Sequence, residues 1–219
     1  MVRGDFHMHT IYSFDCVTPP DALALKAQSV GLGLIAVTDH NSIEGGRAVK
    51  EFASFPVIVG EEVMSTEGEI TGLFLEEEVP PRLTPLETVK RIKEQGALVS
   101  IPHPFTGMGR SSMSRVAIEE VLPYVDIMER FNARTMSLQL NAEAEEFARQ
   151  RGIAATAVSD AHTLGELGRT YTELPDFDLT PEGFKAALAE ATYTERPAGR
   201  LAHVASTVNK LRRRFIRQP

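Results

Sequence analysis

Leu34-Ile35-Ala36-Val37-Thr38-Asp39-His40-Asn41 is the stretch whose reading decides the fold. Its first half is a short, nearly continuous apolar run, the pattern of a strand buried on both faces beneath covering helices. The run stops in Asp39-His40-Asn41, and a new helix is expected after Ser42. Upstream, Thr18-Pro19-Pro20-Asp21 reads as an N-cap followed by proline in the first helical turn. The helix it opens carries Leu23, Leu25, Ala27 and Val30 and stops at Gly31. Before it lies Asp5-Phe6-His7-Met8-His9, which fits a short strand. Strand, helix and strand make a βαβ unit with polar, ligand-type side chains at both strand ends.

The same pattern continues along the chain. Further strands are expected at 56–59, 70–75, 97–101, 125–129, 153–158 and near Thr170. Helices are expected from Pro85 to Gly96, over 137–151 and from Pro181. Residues 105 to 115, rich in Gly, Ser and Met, read as an exposed loop over a site. Seven or eight strands alternating with helices predict an α/β fold with a mostly parallel sheet. No Pro/Ser-rich linker interrupts it, so residues 1 to 219 are read as one domain, with a basic C-terminal helix from about 203. Polar residues gather where successive strands end, the face at which barrels carry their active sites, and this favours a closed, TIM-like barrel over an open sheet. No G-x-G-x-x-G follows the first strand, so nothing suggests dinucleotide binding.

Composition narrows the function classes. A hydrophobic content of 42% beside 24% charged residues belongs to an ordinary globular chain. No run approaches the roughly 18 apolar residues of a membrane span, and the first residues do not resemble a secretion signal. The single cysteine, Cys16, allows no intrachain disulfide and agrees with a reducing compartment, so a cytoplasmic protein without membrane partners is expected. A formal charge of −7 argues against a stable nucleic-acid complex but leaves phosphorylated substrates open, because bound divalent ions would dominate the local field.

On a strand, His7 and His9 leave the same face, so both rings can reach one cation; Asp5 shares that face and could orient a ring. Five of the six histidines, His7, His9, His40, His103 and His162, stand at expected strand ends; only His203 does not. Surface scatter does not account for such a set. Asp15, Glu62 and Asp160 add carboxylates able to bridge cations, as a multinuclear hydrolytic centre requires. Of the adjacent Glu61 and Glu62, alternation admits only one to the barrel mouth.

Asp5-x-His7-x-His9-Thr10 with Ser13-x-Asp15, then Thr38-Asp39-His40, Gly60-x-Glu62, His103-Pro104 and Ser159-Asp160-x-His162 resemble, in order, the motifs of the PHP (polymerase and histidinol phosphatase) family of metal-dependent phosphoesterases. The resemblance runs from residue 5 to about residue 170. It implies a distorted (βα)7 barrel with two or three divalent ions, Mn, Zn or Fe, at the strand C-terminal ends. By position, His7, His9, Glu62 and Asp160 would hold one ion, and Glu62 and His103 a second. Asp15, His40 and His162 would hold a third. Two departures stand out. Where many relatives have a histidine after the shared glutamate, this chain reads Glu69-Ile70-Thr71-Gly72; either Glu69 substitutes as a ligand or the second ion is held more weakly. Asp15 stands where some relatives use histidine, which makes that position harder.

The activity this implies is hydrolysis of a phosphomonoester or small phosphodiester by activated water, with Glu62, Asp160 and His162 as catalytic residues. Arg110, Arg134 and Asn132 are the expected contacts to substrate, and Glu129 is a candidate to line the pocket. Two alternatives stay open: a nuclease trimming short oligonucleotides, and a non-catalytic metal-binding structural or regulatory module. Cys16 reads as a buried thiol, and the run from Lys210 to Arg217 as a solvated helix end. The oligomeric state is left open.

Overall fold

The computed structural model describes residues 1–106, 112–199 and 208–209. Within them a nine-stranded sheet curls into a nearly closed barrel, in the order β7-β6-β5-β4-β3-β2-β1-β8-β9. In chain order the strands are β1 (Val2–Asp5), β2 (Leu34–Val37), β3 (Val57–Ser65), β4 (Gly68–Leu73), β5 (Leu98–Ile101), β6 (Ile127–Asn132), β7 (Ala154–Val158), β8 (Tyr171–Leu174) and β9 (Thr192–Thr194). The helices are α1 (Pro20–Ser29), α2 (Glu44–Phe52), α3 (Pro85–Glu94), α4 (Arg115–Val121), α5 (Leu138–Arg151) and α6 (Pro181–Ala187). No helix among the described residues is long and apolar enough to cross a membrane.

The decisive strand behaves as its composition requires. Leu34 and Ala36 of β2 join an interior cluster with Phe6, Ile58, Leu98, Ile127 and Val158. Ile35 and Val37 pack outward against Leu23, Ala27 and Val49 of α1 and α2. Both faces are therefore covered, which is why the run is apolar at every position. Phe184 of α6 plugs the end of the barrel where the strands begin, its ring 4.7 Å from Phe6 and edge-on to it. The ends of β7 and β8 are closed by a side chain, Thr172, whose Oγ accepts from Ala157 N at 2.9 Å and donates to Ala157 O at 3.1 Å.

The barrel is less regular than strict alternation predicts. β4 runs antiparallel to both β3 and β5, and β8 is antiparallel to β1 and β9. The connection from β3 to β4 is a tight turn at Thr66-Glu67, too short for the crossover that a parallel pair needs. Gly68, at φ 125°, makes that turn possible, and a Cβ there would lie 2.7 Å from Met113 N. Neither α4 nor β9 was expected from the sequence. β1 ends at Asp5, before the two histidines, but Met8 bridges to Ala161 and accepts from Thr38 N at 3.0 Å. Held on both sides, residues 6–9 stay extended and keep the strand's alternation. At α1 the N-cap is Pro19 rather than Thr18, and Pro20 takes the first turn. The C-terminal helix expected from about 203 lies outside the described residues except for Val208 and Asn209.

Candidate metal centre

Each potential ligand except Glu69, which stands at the start of the antiparallel β4, enters from the C-terminal half of a strand or from the segment after it. His7 and His9 follow β1, His40 follows β2, and Glu62 stands in β3, where it forms an isolated bridge to His40. Glu69 stands in β4, His103 follows β5, Asp160 and His162 follow β7, and Asp15 comes from the loop before α1. Two of these positions have left-handed backbone: His103 at φ 28° and Asp160 at φ 52°. Non-glycine residues pay a conformational penalty there, and such strain clusters where surrounding structure fixes a functional side chain.

The side chains converge closely. His7 Nε2 and His9 Nε2 are 3.1 Å apart. Glu62 lies at the centre, 3.0 Å from His103 Nε2, 2.9 Å from His40 Nδ1 and 3.4 Å from His7 Nε2. Asp160 Oδ1 is 3.4 Å from both His9 Nε2 and His162 Nδ1. Asp15 Oδ2 stands between His40 Nε2 at 3.4 Å and His162 Nε2 at 3.3 Å. Glu61 faces the other way, accepting from Val79 N at 2.8 Å, as strand alternation demands.

A surrounding layer of oxygen acceptors decides which ring nitrogens point inward. His7 Nδ1 donates to Glu129 Oε1 at 2.6 Å, and His162 Nδ1 to the Asp160 carbonyl at 2.9 Å. The hydroxyl of Ser13 gives its proton to Asp39 at 2.6 Å, so it can only accept from His9 Nδ1 at 3.0 Å. In all three rings the Nδ1 proton is engaged, so Nε2 is the nitrogen turned to the cluster. This is the tautomer that metal-ligating histidines adopt. Asp39 is itself held by Thr10, through N–H and hydroxyl donors each at 2.6 Å. The orienting role that strand alternation suggested for Asp5 is not found. Its carboxylate accepts from Ser159 N at 3.0 Å, and burial pushes its pKa up to about 7. The ring-orienting carboxylate is Glu129, from a different strand.

Electrostatics agree with a cluster built for added positive charge. Burial alone would strip the proton from His7, yet Asp160, Glu129 and Glu62 hold its pKa well above the ordinary histidine value. His103, also desolvated, is raised to about 9 by Glu62 and Glu69. His9, by contrast, falls to about 3 through burial and the neighbouring His162 and His40. Asp160 stays ionised against burial, held well below the carboxylate range by His7, His9, His162 and Arg134. The negative charge that retains these protons is what a divalent ion would neutralise.

The donors fit metal ions. Three groups, His7-His9-Glu62, His40-Glu62-Glu69 and His9-His40-His162, each place one ligand atom per residue within 4.8 Å of the others. The buried Asp15 Oδ1 has no hydrogen-bond partner among the described residues, as expected of a ligand oxygen awaiting a cation.

The cluster floors a cavity of about 620 Å³ whose walls include Phe14, Met64, Thr106, Asn132, Arg134, Met136 and Leu140. Phe14 stacks on His40 with ring centroids 4.7 Å apart. Asn132 donates to Glu129 at 2.8 Å and to Asp160 at 3.2 Å, while its own oxygen accepts from Arg134 N at 2.9 Å. Arg134 also pairs with Glu166 at 2.8 Å. Glu166 in turn accepts from the backbone of His162 at 3.1 Å and Thr163 at 2.9 Å, tying the last ligand loop to the arginine. Glu129 sits behind the ligands rather than on the cavity wall. Arg110 lies outside the described residues. Glu166, Ser13 and Asp39 escaped the sequence reading; only the Ser13-x-Asp15 and Thr38-Asp39-His40 spacing hinted at the last two.

Comparison with known proteins places this geometry. The model of the PHP domain matches residues 5–101, and that of a PHP-associated C-terminal segment matches residues 139–193. An uncharacterised protein of Methanocaldococcus jannaschii is 37% identical over 193 residues, covering 84% of this chain and 77% of the relative. Among solved structures, a two-domain protein of Bacteroides vulgatus, containing a predicted PHP-like metal-dependent phosphoesterase, superposes with a TM-score of 0.70 at 17% identity. The match takes in 89% of this chain but 65% of that one. PsfC of Pseudomonas syringae superposes with a TM-score of 0.66 at 17% identity, covering 99% of this chain and all of that one.

Proposed function

Because the chain belongs to the PHP domain family of metal-dependent phosphoesterases, we propose that it hydrolyses a phosphomonoester or small phosphodiester in the cavity above the histidine cluster. The observation that carries the reading is the orientation of His7, His9 and His162. Three buried imidazoles with their Nδ1 protons engaged turn their Nε2 atoms toward the carboxylates of Glu62 and Asp160.

His7, His9, Glu62 and Asp160 would hold one ion, Glu62 and His103 a second, and Asp15, His40 and His162 a third. When bound, such ions acidify water and neutralise charge on phosphoryl oxygens. The chain's own groups do the rest. Arg134 and Asn132, at the cavity wall beside Asp160, would bind non-reacting phosphoryl oxygens and orient the ester. Glu62, Asp160 and His162 border the reacting position. Asp160 Oδ1 would accept a hydrogen bond from the attacking water and orient it as its oxygen bonds to phosphorus. The ester P–O bond breaks with its electron pair passing to the leaving alcohol, which receives the proton that the water gives up. Phe14, Met136 and Leu140 would shield the site from bulk water.

The reading is tested with purified protein, by elemental analysis and a panel of phosphorylated metabolites and short oligonucleotides. The expected result is at least two divalent ions per chain and turnover that a chelator abolishes and Mn or Zn restores. Full activity with one ion or none would overturn the multinuclear assignment. Metal-loaded protein that turns over no member of the panel would favour a structural module.

A further inference from the structure

Glu166 supplies no ligand atom in the assignment above and does not line the cavity, yet both oxygens of its buried carboxylate are engaged. Oε1 accepts from Arg134 Nη1 at 2.8 Å. Oε2 accepts from the backbone N–H of His162 at 3.1 Å and of Thr163 at 2.9 Å, and from the Thr163 hydroxyl at 2.9 Å. Four donors, one of them charged, offset the cost of burying the carboxylate and leave it a single orientation. The turn that carries it is fixed in its own right. Glu166 N donates to Thr163 O at 3.2 Å, and Leu167 is buried in the apolar cluster with Met8 and Ala161. Gly168, at φ 75°, lies so close to Val30 that a Cβ there would meet it at 2.6 Å.

Arg134 is held from its other end as well. Its backbone N–H donates to Asn132 Oδ1 at 2.9 Å, and the amide of Asn132 donates to Asp160 Oδ2 at 3.2 Å. The arginine is thus tied to Asp160 through its backbone and to His162 through its guanidinium, and both are proposed ligands on one loop. Holding the Thr163–Glu166 turn takes Oε2 alone; Oε1 is directed at the cavity-wall arginine. We propose that Glu166 is a positioning residue that sets the Arg134 guanidinium at a fixed separation from the His162 ligand position. This rests on the phosphoesterase reading above and adds to it a residue that touches neither metal nor substrate. A phosphoryl group bound across an arginine fork and a metal position tolerates misplacement poorly, because the fork is directional.

Glu166→Gln separates the tasks of the two oxygens. An amide offers one acceptor oxygen and one NH₂ donor, so it can keep the N–H groups of His162 and Thr163 but then turns a donor toward the guanidinium. The affinity of Mn²⁺-loaded protein for inorganic phosphate, read by isothermal titration calorimetry, tests the role without turnover. Glu166→Gln is expected to bind phosphate ~10-fold more weakly, the scale of one misdirected charge-assisted hydrogen bond, with an unchanged ion count by elemental analysis. Combined with Arg134→Ala it should cause no further loss, because the carboxylate acts through the arginine. General loosening of the site would instead multiply the two losses. That result, or wild-type phosphate affinity in Glu166→Gln, would overturn the proposal. Glu166→Ala, which removes both oxygens, should in addition weaken ion binding by ~10-fold or more as the His162 backbone loses its anchor. Wild-type ion count and affinity in that variant would break the link to His162. If loaded wild-type protein binds no phosphate, the phosphoesterase reading falls and this role with it. Binding that Arg134→Ala weakens and Glu166→Gln leaves intact would strike out the role of Glu166 alone.

Discussion

His7 Nδ1 lies 2.6 Å from Glu129 Oε1, and both side chains are buried. The other oxygen of that carboxylate takes the backbone N–H of His103 at 2.7 Å. One side chain on β6 therefore aims a ring from the end of β1 and pins the strained backbone of a second histidine at the end of β5. Glu129→Gln should weaken metal binding by ~10–100-fold, the usual effect of losing a ligand-orienting carboxylate, while the far-ultraviolet spectrum stays unchanged. Competition against a chromophoric chelator measures this, and unaltered affinity would leave Glu129 a packing residue.

His103 separates chemistry from folding. His103→Ala should lose one ion and several orders of magnitude in rate, because a missing Lewis acid withdraws several kcal/mol of charge stabilisation. The apolar interior around Phe184 is untouched, so at most ~1–3 kcal/mol of stability should go. A variant that keeps full activity and its full complement of ions would refute the proposed second position.

For Arg134 the proposed role is in substrate binding. Arg134→Ala should lower kcat/KM by ~10-fold or more, since a charge-assisted hydrogen bond contributes about 1.5–3 kcal/mol. Metal content should not change. Equal kinetics for variant and wild type would return the residue to a purely structural role through Glu166.

Asp126 makes a pH-dependent contribution away from the histidine cluster. Its carboxylate accepts from Val99 N at 2.9 Å, Lys93 Nζ at 2.7 Å and Lys185 Nζ at 2.8 Å. Burial opposes its charge, but Lys185, Lys93 and the Val99 N–H bring its pKa below the usual aspartate value. A depressed folded-state pKa gives stability that is present above the unfolded value near 3.9 and lost as pH falls through the folded one. Asp126→Asn should therefore cost about 1–2 kcal/mol at pH 7, a modest figure because both lysines are partly exposed. The difference from wild type should shrink below about pH 4. Urea melts across that range check it; a difference independent of pH would show that charge at Asp126 contributes nothing.

Sequence alone determined the α/β class, the barrel and the identity of the residues at its mouth. The reason is local. A strand covered on both faces must be apolar throughout, as Leu34–Val37 is, and a polar cluster directly behind it, such as Asp39-His40, has only the strand end to occupy. Alternation likewise required Glu61 and Glu62 to face opposite ways, and the Gly60-x-Glu62 spacing of the family motif named Glu62 as the inward one. Tertiary structure decided what depends on partners distant in the chain. The reversal of β4 follows from a two-residue turn that brings Gly68 against Met113, and nothing in the apolar pattern of 70–75 encodes strand direction. The sequence pointed to Asp5 as the residue that orients a ligating ring and to Glu129 only as a pocket-lining residue. Only packing, which joins Asp5 to Ser159 and brings Glu129 across 122 residues of sequence to the ring, decides between them. The sequence left Glu69 open between a substitute ligand and a bystander, and folding is what sets its buried carboxylate 3.5 Å from both His40 and His103. Hydrogen-bond and charge satisfaction are pairwise properties of the folded chain, and a one-dimensional pattern carries the faces of an element but not the partners those faces meet.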